Sequence, residues 1–216
     1  MGSLFNLDSP LMQFLNRVTD LIILNLVCIF CCLPIVTVGA SLTALHYITL
    51  KMVKGEEGYI VRSFFRSFRN NFRQATLIWL IFLGISVLYV IDIRILGGMA
   101  DKVPSVLKTI ISCFYLFICL TAMYVFPLLA RFENTIRNSI WNAFFMSILH
   151  IGKSLLIAVI YILPLIVVQL HFMMIPVYLL IGLSGPAFLG SYFWKGIFQK
   201  YEPEEKGDDE ENRQIV

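Results

Sequence analysis

Long apolar runs separated by short charged stretches constrain this chain more than any other feature. Residues 14–33, 75–96, 106–129, 154–170 and 174–194 contain few charges. At 1.5 Å per residue their helices match a hydrocarbon core about 30 Å thick. Residues 35–53 form a less apolar run with Thr37, Ser41, Thr43, His46 and Thr49. Pro34 disfavours helix at Leu33, and Gly39-Ala40-Ser41 is expected to open the next helix with Ser41 as N-cap. This segment is read as a crossing, with a re-entrant piece as the alternative. Backbone polar groups in lipid must be satisfied internally, which favours helices. The expected fold is an all-α polytopic membrane protein with five or six transmembrane helices and an amphipathic interfacial helix on the cytoplasmic side. Composition agrees: with 58% hydrophobic and 14% charged residues, the chain could not cover a water-facing surface with polar groups.

Charge is unevenly distributed. Residues 1–200 hold 15 Lys/Arg against 7 Asp/Glu, whereas residues 201–216 hold 7 Asp/Glu against 2 Lys/Arg. The division expected is one helical membrane domain over residues 1–200 and an acidic, disordered cytoplasmic tail over residues 201–216. The basic residues sit between hydrophobic runs, so their partner is an anionic inner leaflet rather than nucleic acid. Lys51, Lys54, Arg62, Arg66, Arg69, Arg73, Arg131, Arg137, Lys153, Lys195 and Lys200 fall on one side of the alternating spans. Only Arg94, Lys102 and Lys108 fall on the other. The bias places the first group and the C-terminus in the cytoplasm, in a multi-pass protein of the cell membrane. With six spans the N-terminus is inside too; five would put it outside. The apolar run at residues 21–33 lacks a compact basic leader, so it is expected to be retained as a helix.

The stretch KGEEGYIVRSFFRSFRNNFRQ, residues 54–74, carries the strongest pattern. On a helix, Arg62, Arg66, Arg69 and Arg73 share an arc of about 60°, and Phe64, Phe65, Phe68 and Phe72 a neighbouring arc of about 100°. Such a helix suits the inner interface, with rings in the acyl boundary and guanidinium groups among phosphates. The plain reading is charge that sets topology; the sharper one is a docking helix for a partner. A weaker version follows, with Arg131, Asn134, Thr135, Asn138 and Asn142 on one arc and Ile136, Ile140 and Phe144 opposite. Together they suggest a cytoplasmic platform.

Polar groups inside the spans are few: Asn25, His46 and Gln169, with His171 near an end. Such groups more often bond between helices than bind substrate. Cys28-Ile29-Phe30-Cys31 is formally a C-x-x-C but lies within a span, where thiols are expected to pack as small hydrophobes. Small residues Gly182, Pro186 and Gly190 recur every four positions, which favours close helix packing. Patterns of hydrolases, zinc proteases, P-loops and dinucleotide binders are missing from the sequence, so no catalytic residue, metal or cofactor is expected and the chain is read as a non-enzyme.

The runs LPIVTVGASLTALHYITLKMVKGEEG, FFRSFRNNFRQAT and YVFPLLARFENT resemble the YesL family of bacterial integral membrane proteins of unknown function. The resemblance spans most of residues 10–195. Family genes often neighbour those for carbohydrate uptake and polysaccharide degradation, which implies an accessory or regulatory component of a sugar transporter complex. The alternative is a small transporter or channel in its own right, with Asn25, His46 and Gln169 on its path.

Overall fold

A computed structural model describes residues 10–56, 58–98 and 104–201. The described residues contain eight α-helices and no strand. They are α1 (Pro10–Cys32), α2 (Val38–Lys54), α3 (Ile60–Gly98), α4 (Ser105–Arg131), α5 (Ile136–Leu149), α6 (Ile151–Leu170), α7 (Ile175–Ile181) and α8 (Ser184–Phe198). Five are long and apolar enough to cross a membrane, or six if the bent pair α7–α8 counts as one. Large apolar side chains are exposed along them, among them Phe14 and Phe30 on α1, Ile91 on α3, and Leu155, Val159 and Leu163 on α6. A surface of that kind is stable against lipid and not against water. The protein is an all-α polytopic membrane protein. The acidic tail falls on residues 202–216, outside the described residues.

The turn between α1 and α2 follows from Pro34 and Thr37. Pro34 is extended, with φ −75° and ψ 119°. Thr37 Oγ1 donates to the carbonyls of Cys31 at 2.6 Å and Pro34 at 2.8 Å, satisfying groups the helix end leaves free. α2 starts at Val38 with Thr37 at the N-cap, four residues earlier than the capping pattern suggested, so Ser41 lies inside the helix rather than at its N-cap. At the far end Gly55 takes a left-handed conformation, φ 76°. The N–H groups of Gly55 and Glu56 reach back to Met52 and Lys51, closing the helix in a conformation that glycine adopts without Cβ strain.

The least apolar candidate span is the most enclosed. α2 packs against α1, α3, α4 and α8 and buries Ala40, Ala44, Leu45, Ile48 and Leu50. Shielding from lipid lets it carry polar side chains, provided most find partners. Thr43 Oγ1 donates to Gly39 O at 2.9 Å, and Ser191 Oγ on α8 donates to Thr49 Oγ1 at 2.8 Å. Close approach to α3 depends on Gly39, where a Cβ would strike the Ala75 carbonyl and come within 2.6 Å of Trp79 Cβ. Trp79 Nε1 ties the same end to Ile35 O at 2.8 Å.

α3 is one helix. Its arginine-bearing start continues into the apolar run without a break, over 39 residues. The amphipathic segment is therefore the first half of the third hydrophobic helix, and α2 runs beside it. The prolines of the later helices divide into two kinds. Pro127 and Pro164 lie within continuous helices, whereas Pro176 and Pro186 fall in the first turns of α7 and α8. Proline is tolerated there because its missing N–H would be unpaired anyway. The axis bends by 55° between α7 and α8.

Candidate functional site

Two kinds of candidate residue came from the sequence, and the structure treats them differently. On α3, Arg62, Arg66, Arg69 and Arg73 are all exposed. Among the described residues no acid lies in ion-pair range of them; Lys51 and Glu56 pair with each other at 3.5 Å. Phe65 is 47% exposed and Phe72 36%, so both rings remain at the surface beside the guanidinium groups. Phe68 is half-buried, its ring centroid 5.5 Å from that of Phe72 and 6.2 Å from that of Phe64. A shallow groove of about 650 Å³ lies here, lined by Phe65, Phe68, Arg69, Asn70, Phe72 and Arg73.

Phe64 corrects the sequence reading. Expected at the acyl boundary, it is fully buried against Leu24, Ala44, Leu45, Ile48 and Ala187. Its place on the helical wheel lies at the edge of the aromatic arc farthest from the arginines, and that edge meets α2 and α1. The second basic stretch is also placed nearby. Thr135 caps α5 by accepting from Asn138 N at 3.4 Å, and Gln74 Nε2 at the end of the arginine stretch donates to Asn134 O at 2.6 Å. The two segments are thus joined. α5 does not keep a polar outer face, since Trp141 and Phe145 are exposed alongside Asn138 and Asn142.

The intramembrane polar residues do not converge. Asn25, fully buried on α1, is used by the break between α7 and α8. Its Nδ2 donates to Leu179 O at 2.7 Å, and its Oδ1 accepts from the N–H groups of Leu183 and Ser184 at 2.9 Å each. Ser184 Oγ completes the joint by donating to Leu21 O at 2.8 Å. His46 sits elsewhere, buried on α2, with Nε2 3.4 Å from Tyr161 OH and Nδ1 without a partner. Gln169 is exposed in the last turn of α6, not inside the bundle. Cys28 is buried, with Sγ 3.9 Å from Ser41 O, and Cys31 and Cys32 are partly buried. No group of three or more metal-ligating side chains is gathered among the described residues.

Sequence reasoning missed an open polar cleft of about 740 Å³ between the start of α1, the end of α2 and the start of α3. Its walls include Gln13, Asn16, Arg17, Asp20, Lys51 and Glu56. These come from separate segments with no spacing signature; the one-turn interval between Arg17 and Asp20 was the only local hint. Cations and anions balance within this cleft. The α3 face, by contrast, carries four cations and no described counter-charge, which makes it the stronger candidate.

Fold and surface together define a polytopic helical membrane protein with a basic, aromatic flank. Residues 21–93 match the family described as Protein of unknown function, DUF624. The matched stretch takes in Asn25, all of α2 and the arginine face of α3, about a third of the chain. No curated protein and no solved structure matches.

Proposed function

We propose that this chain is a YesL-type, non-enzymatic component of the bacterial cell membrane that docks a partner through the first half of α3. The carrying observation is the pairing of four arginines that have no ion-pair partner among the described residues with the exposed rings of Phe65 and Phe72 over one groove. Apolar anchors beside arginine are what protein contacts reuse, and bidentate guanidinium groups suit carboxylates or phosphates. The Lys/Arg bias of the loops supports a cytoplasmic position for this face and for the C-terminus, where the arginines also meet an anionic inner leaflet. The link to carbohydrate uptake, as an accessory or regulatory partner of a sugar transporter complex, rests on the resemblance to the YesL family alone.

Replacing Arg62, Arg66, Arg69 and Arg73 together by Gln tests the reading. Membrane insertion should be unchanged, while crosslinking in native membranes should no longer capture the transporter subunits held by the wild-type chain. Undiminished capture would reject it. One observation favours the alternative of a small transporter: the unpartnered, buried Nδ1 of His46 beside Tyr161. Sugar flux into vesicles containing only this protein, abolished by His46→Ala, would decide for that reading.

A further inference from the structure

The four arginines of α3 lack a described counter-charge, yet the chain holds one. Residues 202–216 carry seven Asp/Glu against two Lys/Arg, a net of −5. We propose that residues 202–216 lie across the arginine face of α3 and hold it until an external partner displaces them. This inference assigns regulation to the docking face proposed above and rests on that reading for the partner, though not for the contact itself.

The described chain ends within the tail's reach of the face. Tyr201 itself sits at the junction of α5 and α6, its OH 3.4 Å from His150 Nε2, and the turn before it packs toward elements that touch α3. Phe198, at the end of α8, packs edge-on against Phe132 with centroids 5.4 Å apart. Two residues beyond Phe132, the Asn134 carbonyl accepts from Gln74, the neighbour of Arg73. On the other flank Lys195 Nζ reaches Val53 O at 3.5 Å, and the chain from Val53 leads through Gly55 to the start of α3 at Ile60. The exit of the tail is therefore bracketed by elements that lead to both ends of the arginine stretch. From Arg62 to Arg73 the helix covers about 16 Å. Fifteen extended residues reach up to about 50 Å, so the segment can span the face with length to spare.

Charge and composition fit the same occupant. Glu202, Glu204 and Glu205 precede Asp208, Asp209, Glu210 and Glu211, so acids are spread along the segment rather than gathered at one point. Exposed ion pairs of this kind are individually weak and screened by salt. Tethering raises the local concentration of the tail to the order of millimolar, which suits a reversible cover. The segment has no aromatic residue after Tyr201. It can answer the arginines but leaves the groove between Phe65 and Phe72 unfilled, and a partner bringing both acids and an apolar anchor would compete with advantage.

A photo-crosslinking amino acid in place of Asn70, in the groove among the arginines, tests the contact in full-length protein in phosphatidylcholine nanodiscs. At low salt the dominant crosslinked peptide should come from residues 202–216. Its yield should fall several-fold as NaCl approaches about 1 M, where the screening length is ~3 Å. Replacing the seven acids by their amides should remove it, and adding phosphatidylglycerol should leave it. Crosslinks only to lipid or to other segments, or loss of the tail crosslink on adding phosphatidylglycerol, would overturn the proposal, the latter in favour of a headgroup as occupant. A chain ending at Tyr201 should retain more transporter than the full chain; equal recovery would overturn the role as competitor. A tail crosslink in a protein that retains no transporter, with or without the tail, would sink the docking reading while leaving the contact standing.

Discussion

Asn25 is held by the backbone of a distant segment. The bend between α7 and α8 frees the carbonyl of Leu179 and the N–H groups of Leu183 and Ser184, and one carboxamide satisfies all three. Asn25→Leu removes these bonds together. At ~0.6 kcal/mol for an average interhelical bond in a membrane, the loss should be about 2 kcal/mol. It should be larger if the two N–H groups stay unsatisfied. Asn25→Asp keeps the acceptor, and as a neutral acid its O–H can still donate to Leu179 O with altered geometry, so it should fall between wild type and Leu. Reversible unfolding in mixed micelles would rank the three; equal stability would mean the break is satisfied another way. His150, between α5 and α6, gives a second prediction. Partial burial first, then Lys153 and Lys200, hold its pKa below the ordinary value of 6.5. The folded chain then binds fewer protons than the unfolded one in the interval just below 6.5, so this group's contribution to stability falls as pH drops through that interval and is fully present above it. Histidine-resolved NMR should find it titrating below the unfolded reference, and a higher value would contradict the placement. Residue types were readable in both cases: an asparagine inside a span suggests bonding between helices. Its partner was not readable, because it lies 154 residues away and is backbone.

Helices place themselves by what they can afford to hide. α2 has the lowest mean hydropathy of the candidate spans and is the most enclosed, because α1, α3, α4 and α8 stand between it and lipid. Gly39 sets its distance from α3. Alanine normally gains about 1 kcal/mol over glycine in a helix. Here its Cβ would meet the Ala75 carbonyl, which cannot yield without moving α3, and overpacking of this sort costs ~1–3 kcal/mol. Gly39→Ala should therefore lower the melting temperature in detergent and shift Trp79 fluorescence. Gly84→Ala, where the added Cβ meets nothing within 4 Å, should leave the melting temperature unchanged or raise it. If both substitutions behaved alike, the close crossing would be wrong. The number and approximate limits of the apolar helices were legible because lipid demands length and continuity. The amphipathic stretch was legible as a pattern, and its four arginines are exposed on α3. Its continuity with the following run was not, since periodicity reports a face and says nothing about whether the axis breaks. Phe64 was misplaced for a related reason: the wheel orders side chains by angle, and only the packing of α1 and α2 decides how much of the aromatic arc is covered.

Length becomes a constraint on the whole molecule. At 39 residues α3 is about 58 Å long, nearly twice the hydrocarbon core, so it cannot lie wholly within the bilayer along the normal. Its apolar second half is the part suited to lipid, whereas α2 pairs with the first half. α1 is antiparallel to α2 and exposes apolar side chains from Leu11 to Leu33, a surface that only a full crossing would leave against lipid throughout. With Gly39 against Ala75 and Trp79 bonded to Ile35, a full crossing by α1 and α2 sets the arginine turns of α3 alongside α2, from Arg62 near its C-terminal end to Arg73 near its N-terminal end. A six-span arrangement requires Pro34, exposed at the turn between α1 and α2, to lie on the opposite side from Tyr59 and Glu133, whereas the contacts of Gly39 with Ala75 and of Gln74 with Asn134 hold that turn near Glu133. Single cysteines at these three positions, in a background with the native thiols replaced, can be tested with an impermeant reagent on intact cells and on inverted vesicles. Labelling of Pro34→Cys from the side opposite to Tyr59→Cys and Glu133→Cys would establish the six spans. Labelling of all three from one side would make α1 and α2 a re-entrant hairpin. That would remove two crossings while leaving the arginine face and the C-terminus on their common side, so the docking surface would survive a failure of the six-span arrangement.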